Sequence, residues 1–426
     1  MTSPPTFRRS LWLRLLLLGL ATAGPAWAGE PERVSYALII ANNASLNPKM
    51  AALRYADDDG ARYYELFAPQ TKEAVLLSVL DAETQSRHPG LAARTRPPTR
   101  AVLKESLARL NARMSEDRAA GRAPVLYFVF TGHGQRGAAG EGTVTLLDGL
   151  FSRTDLYKEV ITPSPASFLH LIVDACDSYF FVNARGGLPV GPAQTAAVTQ
   201  HLASRELDRY PNVGVVLSTS TAQESHEWSA ISAGVFSHQV RSALAGAADV
   251  NADGRVEYSE LTAFIAAASQ GVEDVRGKLD IFARPPPQDR SATLSDLSRG
   301  GTALGYLLVP EGFGGRMWVE DTRGVRVAEF HKERERTLAL ALPAGRDFYL
   351  RTPGREARLT VPKAGAVVDA GGLTWNAQAV ASRGPVEDAF REKLFGVPFG
   401  PRFYSGYVAS LGEAPVAMDD GPDLSP

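Results

Sequence analysis

Residues 168–181 read F-L-H-L-I-V-D-A-C-D-S-Y-F-F. Leu169, Leu171, Ile172 and Val173 form a short, nearly all-apolar run, the pattern of a parallel strand covered by helices on both faces. Asp174 and Cys176, the single cysteine of the chain, follow at once, so the run delivers a thiol to the carboxyl end of a buried strand. In open α/β sheets ligands gather at that edge.

A run of the same form lies upstream. Residues 125–131, V-L-Y-F-V-F-T, are β-branched and aromatic, and they break into Gly132-His133-Gly134. Two strands that each end in one half of a thiol/imidazole pair spell an activated nucleophile, because a free thiol near neutral pH is mostly protonated and needs an adjacent base. The interval between them leaves room for the crossover helix that neighbouring parallel strands require.

Phe130-Thr131-Gly132-His133-Gly134 followed by Val173-Asp174-Ala175-Cys176 resembles the caspase-type cysteine peptidases, the clan that includes metacaspases and paracaspases, in their bacterial form. The resemblance runs from about Tyr36 to Gln270. It agrees with metacaspases before the cysteine and departs from both groups after it, where Asp177-Ser178-Tyr179 stands. The resemblance implies a caspase-like, mostly parallel α/β sheet flanked by helices. It implies Cys176 as nucleophile, His133 as general base and acid, and the backbone N–H groups of Gly134 and Cys176 as oxyanion donors. Asp174 matches the metacaspase-like S1 acid, so the expected substrate is a polypeptide cut after Arg or Lys. In L-R-Y-A-D-D-D-G-A (53–61), Asp59 is the match to a second S1 acid, while a solvated helix N-terminus over Asp57, Asp58 and Asp59 stays equally open. Residues 218–228 fall where the family walls its cleft. Trp228 is expected on the bound peptide, with core packing as its alternative, and Glu224 or Glu227 adds negative potential. Arg185, Arg205 and Arg209 lie in a region (183–212) that the family often processes.

Along the chain, Tyr36–Ala41 reads as the first, central strand. Leu53, Ala56, Tyr63, Leu66 and Phe67 recur at helical spacing, and residues 75–80 form another strand. Thr99 caps a helix whose Leu103, Leu107, Leu110 and Met114 make one apolar face. Residues 213–217 are a further strand, and Phe236, Val240 and Leu244 line a helix.

Residues 249–260, D-V-N-A-D-G-R-V-E-Y-S-E, satisfy D-x-[DN]-x-[DN]-G-x5-E throughout. An EF-hand-like loop of this kind offers Ca2+ the side-chain oxygens of Asp249, Asn251 and Asp253, a carbonyl at Arg255, Glu257 directly or through water, and two oxygens of Glu260, with Gly254 at the sharp turn. A single hand is expected to act as a structural clip.

The first 28 residues carry Arg8, Arg9 and Arg14 before an apolar run and end in Ala26-Trp27-Ala28, the pattern of a secretory signal peptide cut before Gly29. A secreted or periplasmic protein with no membrane span after cleavage is the expectation. A peptidase domain (29–284, with the loop 249–260) is followed by Pro285-Pro286-Pro287, a β-rich domain (285–381) whose spacing fits a small antiparallel sandwich, a terminal helix with an aromatic segment (382–413), and an acidic, Pro-rich disordered tail (414–426). With 44% apolar and 22% charged residues and a formal charge of −2, the chain has globular composition and no nucleic-acid signature. A catalytically inactive caspase-like scaffold or binding protein, and a Cys-dependent amidase or transferase acting on envelope material, remain alternatives to the peptidase. The oligomeric state is not fixed by the sequence.

Overall fold

The structure, a computed structural model, describes residues 31–137, 141–176, 178–183, 206–218, 227–272, 279, 281–297, 303–377 and 393–418. The expected signal peptide, Arg185, Arg205, Glu224 and the first part of the expected terminal helix and aromatic segment (residues 382–392) lie outside the described residues.

The centre is a six-stranded sheet of β1 (Arg33–Asn42), β2 (Glu73–Ser78), β3 (Ala123–Gly132), β4 (Phe168–Asp174), β5 (Val213–Ser218) and β6 (Ile281–Arg284). Their order is β6-β5-β4-β3-β1-β2, all parallel except the edge strand β6. The apolar runs are continuous because side chains alternate between two buried faces. Tyr36, Leu38, Leu126, Phe128, Phe130, Leu169, Leu171 and Val173 meet Leu103, Leu107, Leu110 and Met114 of a helix spanning Arg100–Ala119. The alternate residues Ala37, Ile39, Tyr127, Val129 and Ile172 face the opposite core. That core is covered by α1 (Ala56–Phe67), α2 (Val235–Ser242) and α3 (Tyr258–Gln270). The long helix begins as its sequence predicts, with the Thr99 hydroxyl accepting from the Val102 amide. Gly60 lets α1 approach β1, since a Cβ there would sit 2.4 Å from Ala41 Cβ.

The C-terminal third is a small, mostly antiparallel sandwich. One sheet has three strands (Leu304–Val309, Leu338–Pro343, Val367–Asp369) and the other five, centred on Gly315–Asp321 and Arg346–Thr352. Its apolar residues, Val319, Phe330 and Leu340 among them, continue the core that lies under α2 and α3. Residues beyond the Pro285–Pro287 break also return to the first part of the chain, where strand Thr293–Asp296 pairs with Arg255–Glu257 of the acidic loop. The aromatic segment folds into α4 (Pro401–Ser410), and Tyr404 Oη lies 2.9 Å from Ser259 Oγ on α3. Residues 414–418, expected in a disordered tail, are tied down: the Val416 amide donates to Tyr404 Oη and the Asn251 amide group donates to the Ala417 carbonyl. Among the described residues no helix is long and apolar enough to cross a membrane.

Leu110, fully buried between the long helix and the sheet, is expected to cost about 2–5 kcal/mol on substitution with alanine, read as a lower midpoint in urea unfolding.

Candidate active site

Strands β3 and β4 are neighbours, with Thr131 opposite Asp174. His133 and Cys176 each follow that matched pair by two residues, so the sheet register brings imidazole and thiol to one edge. The segments touch: a Cβ on Gly134 would lie 2.0 Å from the Cys176 carbonyl oxygen and 3.0 Å from Ala175 Cβ. Only glycine permits this approach. A three-stranded antiparallel ribbon (Gly134–Arg136, Gly142–Thr145, Leu150–Ser152) holds the histidine backbone, the Thr145 amide donating to the His133 carbonyl.

The His133 ring is buried, with the backbone of Ala51 and Asn43 beside it. Burial lowers its pKa and those contacts oppose the shift. A neutral ring is therefore favoured, and its Nε2 has no hydrogen-bond partner among the described residues. Cys176 is half-buried and in no disulfide.

A second cluster sits at the end of β4. Asp174 Oδ2 accepts from Ser237 Oγ at 2.6 Å. Asp59 Oδ2 accepts from the Gly234 amide at 2.7 Å, and its Oδ1 accepts from Arg241 Nη2 at 2.8 Å. A Cβ on Gly234 would stand 2.9 Å from Asp59 Oδ2 and 3.0 Å from Asp174 Oδ2, so both carboxylates face this one glycine. Burial raises Asp174 to about 6, the Ser237 contacts opposing it and Glu227 adding to it. Burial likewise pushes Asp59 up, against the pull of Arg241 and Arg62.

The structure thus gathers His133, Gly134 and Cys176, and separately Asp59 and Asp174. The solvated reading of Asp57, Asp58 and Asp59 is overturned, since all three are buried and partnered. Trp228 is also corrected. It is 1% exposed, with the guanidinium groups of Arg316 and Arg326 over its ring at 5.9 and 5.5 Å, so it belongs to the core under the sandwich and does not present a face to a peptide. Glu227 accepts from the amides of Arg54 and Tyr55, both at 2.9 Å, which fixes the start of α1. Arg209 ends a short 3-10 turn. Ser237, Gly234 and Arg241 were missed by sequence reasoning. Arg241, the one arginine on the helix V-F-S-H-Q-V-R-S, was the available signal, and it needed the position of Asp59 to be read.

In the acidic loop, Asp249 Oδ2 accepts from the Gly254 amide at 2.9 Å and Asp253 Oδ1 from the Arg255 amide at 2.8 Å. The Glu260 carboxylate accepts from the amides of Val250 and Glu257 at 3.0 and 2.8 Å. Ala252 and Gly254 take left-handed backbone (φ 59° and 75°), which coils the loop tightly. Asn251 Oδ1 accepts from the Asp253 amide, and Glu257 is half-buried. Among the described residues no three His, Cys, Asp or Glu side chains converge to hold a metal ion. Asp249 Oδ1, however, is buried without a partner.

These features define an α/β protein with a central, mostly parallel sheet that presents a histidine and a cysteine from adjacent strand ends. Solved structures similar to it include pro-sf-caspase-1 (10% identity, TM-score 0.26, over 49% of this chain and 69% of that one) and the Arg-specific cysteine proteinase gingipain R (11%, 0.29, 80% and 70%). A protein from Geobacter sulfurreducens is also similar (15%, 0.25, 44% and 72%). No family model matches the chain, and no curated protein does.

Asp174 ionises at 3.8 in an unfolded chain and at about 6 in the folded one. Between those values the folded state binds the extra proton, so this group favours folding below about pH 4 and that contribution is lost as pH rises through about 6. An Asp174→Asn variant is expected to show a smaller stability loss than the parent between pH 4 and 7.5. The difference is on the order of 3 kcal/mol, measured by urea unfolding at each pH.

Proposed function

We propose that the protein is a secreted, caspase-like cysteine endopeptidase that cleaves after Arg or Lys. The carrying observation is the β3–β4 register, which places His133 and Cys176 two residues past one matched pair. In this reading Cys176 Sγ attacks the scissile carbonyl carbon while His133 takes the thiol proton. The oxyanion meets the backbone N–H groups of Gly134 and Cys176, each donor contributing about 3 kcal/mol to the transition state. His133 then gives its proton to the leaving amine. Water, deprotonated by the same ring, hydrolyses the thioester and restores the thiol. Asp174, two residues before Cys176 in the chain, and Asp59, which faces the same Gly234, form a desolvated corner that suits a guanidinium or ammonium group and repels an acidic side chain.

Iodoacetamide should alkylate Cys176 near neutral pH, and His133→Ala should slow that reaction at least about a hundredfold. A fluorogenic peptide library should report turnover of Arg and Lys substrates, with KM falling as pH rises through about 6 and Asp174 ionises. Unreactive Cys176 together with silence across the library would favour the inactive scaffold.

We also propose that Asp249–Glu260 binds Ca2+ as a structural clip. The buried, unpartnered Asp249 Oδ1 and the spacing of Asn251, Asp253, Glu257 and Glu260 along the loop support the reading; Arg255 would contribute its carbonyl. Bound calcium would neutralise the acids gathered there. At a dissociation constant of about 0.1–1 mM, about 10 mM CaCl2 should add about 1–3 kcal/mol of stability. The gain should be visible as a rise in Tm that EGTA reverses and Asp249→Asn abolishes; an unchanged Tm would remove the clip.

A further inference from the structure

Arg136 ends the first strand of the antiparallel ribbon, two residues past Gly134. It is exposed, and its guanidinium carbon lies 3.8 Å from the centre of the Phe180 ring. Phe180 belongs to the short helix Ser178–Val182, which follows Cys176 in the chain. The ribbon is pressed onto this helix: a Cβ on Gly142, the residue opposite Arg136, would stand 2.1 Å from the Phe181 amide nitrogen. Arg136 is thereby tied to the segments that carry both the imidazole and the thiol. At about 3.3 Å per strand residue, its backbone lies roughly 7 Å beyond Gly134, which itself abuts the Cys176 carbonyl.

The two faces of the sheet divide this edge. Phe180 packs with Val144 and Phe151 of the ribbon in the core under the long helix. Asp174 instead bonds Ser237 on α2, which covers the opposite core. A peptide bond placed at Cys176, with its basic side chain turned to the acid corner, therefore continues past the cut toward the ribbon and Arg136. Covering the buried Phe180 ring needs only an apolar stem. An exposed guanidinium laid flat on that ring adds a fixed positive charge, which an approaching carboxylate can meet.

We infer that Arg136 is a specificity-determining residue for the leaving side of the substrate and favours an acidic side chain within the first three residues after the cut. The inference rests on the peptidase reading above. It defines the substrate class as a polypeptide with a basic residue before the scissile bond and an acidic one shortly after it, so that charge sets the register from both sides of the thiol.

Internally quenched peptides with arginine before the cut, offered to the full chain, test it. The three positions after the cut are alanine in the reference peptide, and glutamate or lysine replaces them one at a time. Glutamate in at least one position is expected to raise kcat/KM about threefold to fivefold, the size of an exposed ion pair, and lysine there to lower it. Arg136→Met keeps the Phe180 ring covered by an unbranched chain and should bring the glutamate-to-alanine ratio to unity. Arg136→Glu should turn the preference over to lysine, with circular dichroism checking the fold of both variants. Glutamate peptides cut no faster than the reference at all three positions, or a ratio unchanged in Arg136→Met, would overturn the inference and leave the peptidase standing. Cleavage of none of the peptides would remove the peptidase and this inference with it.

Discussion

The structure depends on the lateral pairing of two buried parallel strands, β3 and β4. Neighbouring strands run about 4.8 Å apart, so any two side chains equally far past a matched pair start as neighbours. Thr131 opposite Asp174 is such a pair. A slip of one residue would send every side chain of β4 to the opposite face. The apolar alternation that fills both cores therefore also fixes where the thiol emerges, and the same residues that stabilise the sheet set the geometry of its edge. Gly134 completes the arrangement by letting two backbones meet where any side chain would collide.

Around that edge the protein keeps carboxylates in places that disfavour their charge. Asp59 and Asp174 are held by short hydrogen bonds from Gly234, Ser237 and Arg241, and burial still raises both. Groups that ionise reluctantly in a dry corner gain most when a cation arrives, because the attraction is least screened there. Placing Asp174 at the end of β4 and Asp59 on α1 in the same corner is therefore costly, and Arg241 supplies the cation that meets Asp59.

The sheet was legible because its strands are unbroken apolar runs and its long helix carries both a cap and a clean apolar face: Thr99, Leu103, Leu107, Leu110 and Met114 were all readable locally. That His133 and Cys176 follow neighbouring strands at one sheet edge was legible because each stands just past such a run. What could not be read was long-range. Trp228 looks the same in sequence whether it faces a ligand or a core, and only the sandwich closing over α2 decides between them. Glu227 reads as a surface acid until the start of α1 is seen beneath it. Ser237 and Arg241 act through partners more than sixty residues away in the chain, and no local pattern encodes that distance.

Glu329 carries a consequence for how the molecule is built. It is fully buried, its carboxylate bonded to Arg316, Arg326 and His238, and the two arginines hold it well below the usual carboxylate range. His238 belongs to the helix that also supplies Ser237 and Arg241 to the acidic corner. The sandwich therefore serves as the outer wall of that helix, and the chain up to residue 284 is an unfinished building whose missing side would admit water directly behind Asp59 and Asp174.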